Sequence, residues 1–411
     1  MADTDMTKSY YLPPSMQVAD WEDRVDMKRL RRDRLARVQT ALTKADVDGI
    51  LLLKPENFRY ATAGVGMEVA WWLTEYGVVP RQGTPYFYPT GGDMQRAQLT
   101  MPWLEGNVKP AKNLDEVGAR RQTLADMAVQ EMIEDIKRAG LKGTRVAVDL
   151  FNYPVMKALE KLNVEVVDGE PIMVEARIIK SQDEIALLRM AAAINDAAMY
   201  HAFYEVMRPG VRETDVTAAL ISKARQLGCT GASDALRGFA SAGEHVNPYY
   251  RVIGGTDKIL QPGELMVIDS HLAFMGYHVD YTRTYVVSGK PTQQARDLYK
   301  RNYEYLYRGI EKARPGNTTA DVAAEWNEPS DWSRHTLDFG HGIGATGHEA
   351  PWVTPQAKND PRVLEVGMVM AFETYKGGGL GIASRIEEDA IITENGPEII
   401  SKIHHDPKLL D

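Results

Sequence analysis

The sequence predicts an α/β domain over residues 1–172, followed by an α+β domain over residues 173–411 that is built from two related halves. The first prediction rests on helices that alternate with short apolar strands along the N-terminal part of the chain. The second rests on a repeated Arg-Pro-Gly motif and on two apolar hairpins that both carry acidic residues. Together these observations predict pseudo-two-fold symmetry within the second domain.

Composition is that of an ordinary globular protein, with 44% apolar and 26% charged residues in 411 positions. The net charge of -9 argues against a general nucleic-acid binder. The single cysteine, Cys229, rules out an internal disulfide framework and suits a reducing compartment. There is no signal-peptide pattern, and no apolar run approaches the roughly 18 residues of a membrane span. We therefore expect a cytoplasmic protein without nucleic-acid or membrane partners.

The first domain is predicted from the spacing of its apolar residues. In chain order this spacing predicts helices and strands at Met27–Leu42, Ile50–Leu53, Arg121–Ala139, Arg145–Val148, Tyr153–Leu162 and Val164–Val167. The second and third of these are separated by a tract rich in aromatic and turn residues, which runs from Trp71 and Trp72 to Trp103. The alternation of helix and strand is typical of an α/β domain.

The second domain begins with a capping box, Ser181 to Glu184, at the head of a long helix that extends to about residue 207. Arg208-Pro209-Gly210 follows this helix, and Arg314-Pro315-Gly316 occurs 106 residues later. A Pro-Gly turn alone carries little information. Here, however, Asp, Val and Ala recur at the same offsets after both motifs, and this match indicates a duplicated half-domain.

The first acidic hairpin spans Gly263–Gly289, in which two apolar-rich strands meet near Met275. A turn centred between Phe274 and Met275 would place Asp269 directly opposite Asp280. Like charges that face each other across a strand pair are destabilising, and a cation between them would relieve the repulsion. The alternative is a hairpin with a solvated polar face, on which the pairing is a coincidence.

A duplicated half-domain predicts a second acidic hairpin in the second half. Met368–Tyr375 and Ala383–Thr393 flank a glycine-rich loop, and a turn centred on Leu380 places Glu373 opposite Glu387. Each half-domain therefore offers one pair of facing carboxylates. If both hairpins merely had solvated polar faces, facing carboxylates would have to arise by coincidence in each of them.

Histidines occur next to both acidic pairs. The register assumed for the first hairpin pairs His271 with His278 on the face that carries the aspartates. The glycine-rich segment Phe339–Pro351 contains His341 and His348. Two carboxylate pairs with an added imidazole suit a dinuclear site for divalent cations. We expect His271 and His278 to pack against the ligands or support them; the alternative is that they reshape metal binding.

This pattern resembles the pita-bread metalloenzyme family of methionine aminopeptidase, aminopeptidase P, prolidase and creatinase. The family ligands are an Asp, a second Asp eleven residues on, a His in a GHGIG loop, and two Glu. The resemblance implies a pita-bread fold for the α+β domain, two divalent ions (manganese, iron, cobalt or zinc) and a homodimer. The α/β domain resembles that of the prolidase, aminopeptidase P and creatinase branch. The matching metal ligands in this chain are Asp269, Asp280, His341, Glu373 and Glu387.

The resemblance also implies catalytic roles. Glu373 would be the general base as well as a ligand, while His348 and His245 would hydrogen-bond the oxyanion or the leaving nitrogen. Arg385, two residues before Glu387, would either hold a substrate carboxylate or fix Glu387 in place. The implied reaction is hydrolysis of a C–N bond in a dipeptide or small molecule, as in Xaa-Pro dipeptidase or creatinase.

The sequence departs from the family at Asp269-Ser270-His271, where the family has Asp-x-Gly, and this leaves the substrate open. One alternative is a metal-dependent lyase for a small carboxylate such as dimethylsulfoniopropionate. It is motivated by Trp71, Trp72 and Trp103, because aromatic faces attract onium cations; we expect Trp71 and Trp72 to bind substrate, unless these rings are ordinary core residues. A second alternative is a binding module without catalysis.

Overall fold

The computed structural model describes residues 25–64, 75–114, 118–229, 236–247, 254–326 and 339–411. The described chain divides into two compact units, Val25–Arg177 and Ile178–Asp411. The helix Glu170–Arg177 ends the first unit, so the predicted boundary between residues 172 and 173 falls inside that helix. In the described part of the chain, no helix has both the length and the apolar character needed to cross a membrane.

The first unit alternates helices and strands, as its apolar spacing predicts. Its helices are α1 (Met27–Lys44), α2 (Pro55–Thr62), α3 (Met94–Thr100), α4 (Arg121–Arg138), α5 (Tyr153–Lys161) and α6 (Glu170–Arg177). Its strands are β1 (Gly49–Leu52), β2 (Tyr76–Pro80), β3 (Tyr86–Tyr88), β4 (Arg145–Val148) and β5 (Glu165–Asp168). They form one sheet in the order β3-β2-β1-β4-β5, in which β1, β4 and β5 are parallel. Leu51, Val78 and Val146 of this sheet share a buried core with Val129 and Ile133 of α4.

The second unit contains two antiparallel sheets. Its helices are α7 (Gln182–Tyr200), α8 (Glu213–Gln226), α9 (Gln293–Lys312), α10 (Thr319–Glu325) and α11 (Pro407–Leu410). Helix α7 continues as a π-helical segment to Val206. Its strands are β6 (Leu236–Ala242), β7 (Leu265–Phe274), β8 (Tyr277–Val286), β9 (Phe339–Gly342), β10 (Glu349–Val353), β11 (Val369–Gly379), β12 (Ile382–Thr393) and β13 (Gly396–Ile399). The sheet orders are β6-β7-β8 and β10-β9-β11-β12-β13.

Helix α9 covers one face of the larger sheet and leaves the other face for the acidic residues. Tyr299 of α9 lies in a buried cluster with Phe372 of β11 and Ile386 of β12. Successive strand residues point to opposite faces. Glu373 and Glu387 therefore point away from α9, towards the side on which a site can form.

The predicted duplication is visible in the backbone. Gly210 and Gly316, the glycines of the two Arg-Pro-Gly motifs, have φ values of 89° and 90°. The N–H of Gly210 donates to the carbonyl oxygen of Leu260 (3.0 Å), and the N–H of Gly316 donates to that of Leu364 (2.9 Å). In both halves the turn is thus tied to the segment that leads into the acidic hairpin. These matching contacts confirm the pseudo-two-fold symmetry.

The register of the first hairpin differs from the predicted one. Met275 and Gly276 both have positive φ, 49° and 78°, which is the geometry of a two-residue type I′ turn. This turn is centred one residue later than predicted, so Asp269 lies opposite Thr282 instead of Asp280. The prediction that the two aspartates face each other directly was wrong, because the sequence did not reveal that a methionine would adopt a left-handed conformation.

The same shift changes the histidine pairing. His271 lies opposite Asp280, and His278 lies opposite Ala273, so the predicted His271–His278 pair is also wrong as a register. The error does not alter which face the side chains occupy, since both registers pair odd-numbered with even-numbered residues. In the second hairpin the predicted pairing of Glu373 with Glu387 is confirmed.

Replacing Gly276 by valine should lower the free energy of unfolding by about 1–3 kcal/mol, because a β-branched residue is strained in the left-handed region. The midpoint of urea unfolding, followed by tryptophan fluorescence, measures this loss. Gly91→Val serves as the control, because the φ of Gly91 is not positive and no atom lies within 4 Å of an added Cβ. Equal unfolding midpoints for the two variants would contradict the turn assignment.

Candidate metal centre

Side chains from both hairpins and from β9 converge in the second unit. Potential ligand atoms lie within 4.8 Å of one another in three overlapping groups: Asp280, His341 and His348; His341, Glu373 and Glu387; Asp269, Asp280 and Glu387. All five side chains predicted as ligands are buried, and His348 is exposed. The structure thus brings the five predicted ligands together, although they are widely separated along the chain.

The five predicted ligands are positioned by strands, which are more rigid than loops. Asp269 is on β7 and Asp280 on β8, while Glu373 and Glu387 face each other on β11 and β12. His341 is on β9, where it pairs with Ala371 of β11. Each of these five side chains therefore projects from a strand that backbone hydrogen bonds hold in place.

The buried carboxylates strongly disfavour one another's charge. Burial raises the pKa of Asp280 well above its ordinary value, and the negative charges of Asp269 and Glu373 raise it further. Burial likewise raises the pKa of Glu387, with the charge of Asp280 as the next cause. Carboxylates held together in this way are stabilised as anions by nearby cations. The electrostatics of the cluster therefore favour binding of positive ions.

His341 is held as a neutral imidazole. Burial, and after it the neighbouring His348, lower its pKa to about 3. Its Nδ1 lies 3.0 Å from the carbonyl oxygen of Gly342, which can only accept, so Nδ1 carries the proton. Nε2 then presents its lone pair and lies 3.8 Å from Oε1 of Glu387. A neutral imidazole in this tautomer has the form that a metal ligand requires.

The hydrogen bonding of Glu387 indicates whether the cluster fits a cation. Its Oε2 accepts a hydrogen bond from the hydroxyl of Thr282 (2.9 Å). Its Oε1 is buried, and among the described residues it has no hydrogen-bond partner. A buried carboxylate oxygen without a donor is costly. Together with the carboxylate and imidazole donors around it, this atom fits a bound divalent cation.

Arg385 joins the two hairpins. Its guanidinium is buried and donates to Oδ2 of Asp269 and to Oε2 of Glu373. Of the two roles expected for Arg385, these contacts favour the fixing of ligands over the binding of a substrate carboxylate. The contacted side chains are Asp269 and Glu373, whereas the prediction had named Glu387.

His348 lies at the open side of the cluster. Its ring stacks on His341 with 4.2 Å between ring centroids, and its Nε2 lies 3.6 Å from Oδ2 of Asp280. The side chain is 49% exposed, unlike the five predicted ligands. Beside it, Nε2 of His271 lies 2.9 Å from Nδ1 of His278, so these two rings meet even though their residues are not paired across the strands.

The remaining predicted site residues are His245, Trp71 and Trp72. Nδ1 of His245 lies 3.0 Å from Oε1 of the buried Glu213, and His245 belongs to none of the three ligand groups. Trp71 and Trp72 lie outside the described residues.

Trp103, which motivated the lyase alternative together with Trp71 and Trp72, has structural contacts. Its Nε1 donates to the carbonyl oxygen of Thr62 (2.9 Å), and the guanidinium of Arg31 lies 4.1 Å from its ring centroid. The ring of Trp103 therefore contacts Thr62 and Arg31, which belong to the first unit, as a structural residue would.

Two residues of the site were not predicted from the sequence. Thr282 orients Glu387, and Asp389 accepts a hydrogen bond from the backbone N–H of Asp280 (3.0 Å). Burial also raises the pKa of Asp389. Strand alternation contains a signal for both, because Thr282 and Asp389 each lie two residues from a predicted ligand and share its face.

Sequence comparisons identify both parts of the chain. The profile of metallopeptidase family M24 matches residues 186–394, and that of the creatinase/prolidase N-terminal domain matches residues 34–179. The Xaa-Pro dipeptidase of Pyrococcus furiosus is 27% identical over 90% of this chain and 98% of its own length. The dimethylsulfoniopropionate lyase DddP of Roseovarius nubinhibens is 27% identical over 94% of this chain and 88% of its own length.

Solved structures show the same fold. The Xaa-Pro dipeptidase from Bacillus anthracis superimposes with a TM-score of 0.73 at 24% identity, covering 92% of this chain and 99% of that protein. The X-Pro aminopeptidase from Thermotoga maritima gives a TM-score of 0.72 at 18% identity, covering 90% and 98%. These matches confirm the pita-bread fold and the prolidase-like N-terminal domain. The chain therefore belongs to metallopeptidase family M24, and it carries the creatinase/prolidase type of N-terminal domain.

Proposed function

We propose that this protein is a metal-dependent hydrolase that cleaves an amide-type C–N bond in a small substrate, as Xaa-Pro dipeptidases and creatinase do. The observation that carries the proposal is the buried convergence of four carboxylates and one neutral imidazole. Similarity to Xaa-Pro dipeptidases over about nine-tenths of the chain supports the same reaction class.

The proposed cofactor is a pair of divalent cations, of manganese, iron, cobalt or zinc. Asp269, Asp280, His341, Glu373 and Glu387 would hold them. Four carboxylates carry more negative charge than the single guanidinium of Arg385 offsets, and oxygen donors with one imidazole suit borderline-hard ions. Such cations supply a Lewis acid, which polarises a carbonyl group and lowers the pKa of a coordinated water to about 7.

The protein's own residues would move the protons and orient the substrate. Glu373 is buried next to His341 and Glu387, and we assign it the role of general base. His348 is the exposed imidazole at the cluster, and it would donate a hydrogen bond to the developing oxyanion or to the leaving nitrogen. The role of His245 stays a prediction, as its ring pairs with Glu213.

Glu373→Gln should reduce kcat by about 1,000-fold or more, because it removes both a ligand and the general base. Turnover of Xaa-Pro dipeptides with added manganese measures the effect, and circular dichroism checks that the fold is kept. Glu365→Gln is the matched control, since the Glu365 side chain is 53% exposed. Full activity of the Glu373 variant would remove the proposed mechanism.

Thr282→Val should weaken manganese binding by roughly 10–100-fold, because Glu387 loses the hydroxyl that orients it. Isothermal titration calorimetry on the metal-free protein measures the affinity. Thr217→Val is the control, since the buried Thr217 hydroxyl bonds within its own helix, to the carbonyl oxygen of Glu213 (3.3 Å). The idea is wrong if both variants bind manganese as tightly as the wild type.

A lyase is the second candidate, and the similarity to DddP over 94% of the chain favours it. In that reaction a carboxylate would remove a proton from a small carboxylate substrate, and a sulfonium group would leave as a neutral sulfide. A panel of Xaa-Pro dipeptides, creatine, ectoine and dimethylsulfoniopropionate separates the candidates, because hydrolysis releases an amine and elimination releases a volatile sulfide. Cleavage of no peptide in this panel would contradict a prolidase activity.

A binding module without catalysis is the third candidate. The presence of all five ligand types argues against it. A protein without bound metal, inactive on the panel after manganese or iron is added, would favour it instead. The homodimer and the cytoplasmic location stay predictions, and sedimentation analysis tests the first of them.

A further inference from the structure

The segment Ile343–His348, here called the histidine loop, connects β9 to β10. His341 precedes it, and it ends at His348, whose ring stacks on that of His341. Glycine-rich loops are intrinsically adaptable, because glycine has many accessible backbone conformations. A half-exposed imidazole at the end of such a loop keeps a fixed position only if other parts of the protein support the loop.

One support is a buried ion pair beneath the loop. Nζ of Lys180 lies 2.8 Å from Oε1 of Glu349, and the two side chains are only 1% and 2% exposed. Lys180 is anchored in turn, since its backbone N–H donates to the carbonyl oxygen of Gly367 (2.8 Å). Glu349 directly follows His348 and pairs with Gly342, next to His341.

The loop backbone lies directly on this ion pair. A Cβ added to Gly344 would come within 2.7 Å of Cε of Lys180 and 2.9 Å of Oε1 of Glu349. The hydroxyl of Thr346 donates to the carbonyl oxygen of His348 (3.0 Å) and lies 3.4 Å from Oε2 of Glu349. The ion pair therefore contacts both the middle of the loop and its histidine-bearing end.

The β7–β8 hairpin supports the loop from another direction. The backbone N–H of His278 donates to the carbonyl oxygen of Gly344 (2.8 Å). A Cβ added to Gly347 would lie 2.1 Å from Cε1 of His271, so that ring packs directly on the loop. The histidine loop is thus held between the tip of the first acidic hairpin and the Lys180–Glu349 pair.

We propose that Lys180 and Glu349 are positioning residues that hold His348 over the cluster. The inference rests on the proposed function, in which His348 acts on the substrate. A buried ion pair is weak evidence for stability alone, because the cost of desolvating two charges offsets most of their attraction. It does impose one geometry on the atoms packed around it, and small displacements of a reacting group cost large factors in rate.

Lys180→Met should lower kcat by about 100-fold, with KM and manganese affinity within about twofold of the wild type. Steady-state kinetics on the substrate that the panel identifies, with manganese titration calorimetry, measure these quantities. Glu349→Gln preserves volume and removes the charge, and it stands in if the lysine variant fails to fold. Unchanged kcat in a folded variant would overturn the proposal.

The second arm separates positioning from general structural damage. In a His348→Ala background, Lys180→Met should cause no further loss of kcat, since the ion pair would act only through His348. If the two substitutions instead lower kcat by independent factors that multiply, the proposal is overturned. Arg189→Met is the control, because it removes another ion pair of the same unit, Arg189–Glu398 (2.6 Å), and should leave kcat unchanged in both backgrounds.

The third experiment does not require enzymatic activity. Its result therefore distinguishes failure of this inference from failure of the proposed function. Histidine-selective nitrogen labelling should give one set of ring signals for His348, identified by its loss in His348→Ala. In Lys180→Met these signals should broaden or split, while Arg189→Met leaves them unchanged. An unaltered His348 spectrum in Lys180→Met would overturn the inference, whatever substrate the enzyme takes.

Discussion

Mutual repulsion among buried carboxylates is the constraint on which the second unit depends. Asp269, Asp280 and Glu387 have ligand atoms within 4.8 Å of one another, and Glu373 lies in a second such group with Glu387. Burial and neighbouring negative charge both oppose ionisation of Asp280 and Glu387. The fold resists their separation because every one of them projects from a strand. Arg385 contributes one positive charge, which it shares between the two hairpins.

Hydrogen bonds around the cluster orient two of the predicted ligands. Thr282 takes up one oxygen of Glu387 and leaves the other without a donor among the described residues. Gly342 fixes the tautomer of His341, so that the lone pair of Nε2 is available. Side chains oriented in this way would lose little freedom on binding a cation, and preorganisation of this kind favours affinity. The site's chemistry therefore depends on neighbours that bear no charge.

Much of this site was predictable because strand periodicity and duplication are properties of the sequence. Glu373 and Glu387 were paired correctly, since their loop is nearly symmetric about Leu380. Asp269 and Asp280 were paired incorrectly, because the turn depends on a left-handed methionine, which residue preferences do not predict.

The Lys180–Glu349 pair could not be predicted from the sequence, because its members are 169 positions apart and follow no shared period.

The duplicated architecture has a consequence for how the second unit folds. Each half contributes one acidic pair, and His341 comes from the strand beside the second pair, so neither half alone encloses a complete coordination sphere. Binding of the proposed cations would thereby be linked to the folding of both halves together, and metal supply would then help to determine how long the intact chain survives proteolysis.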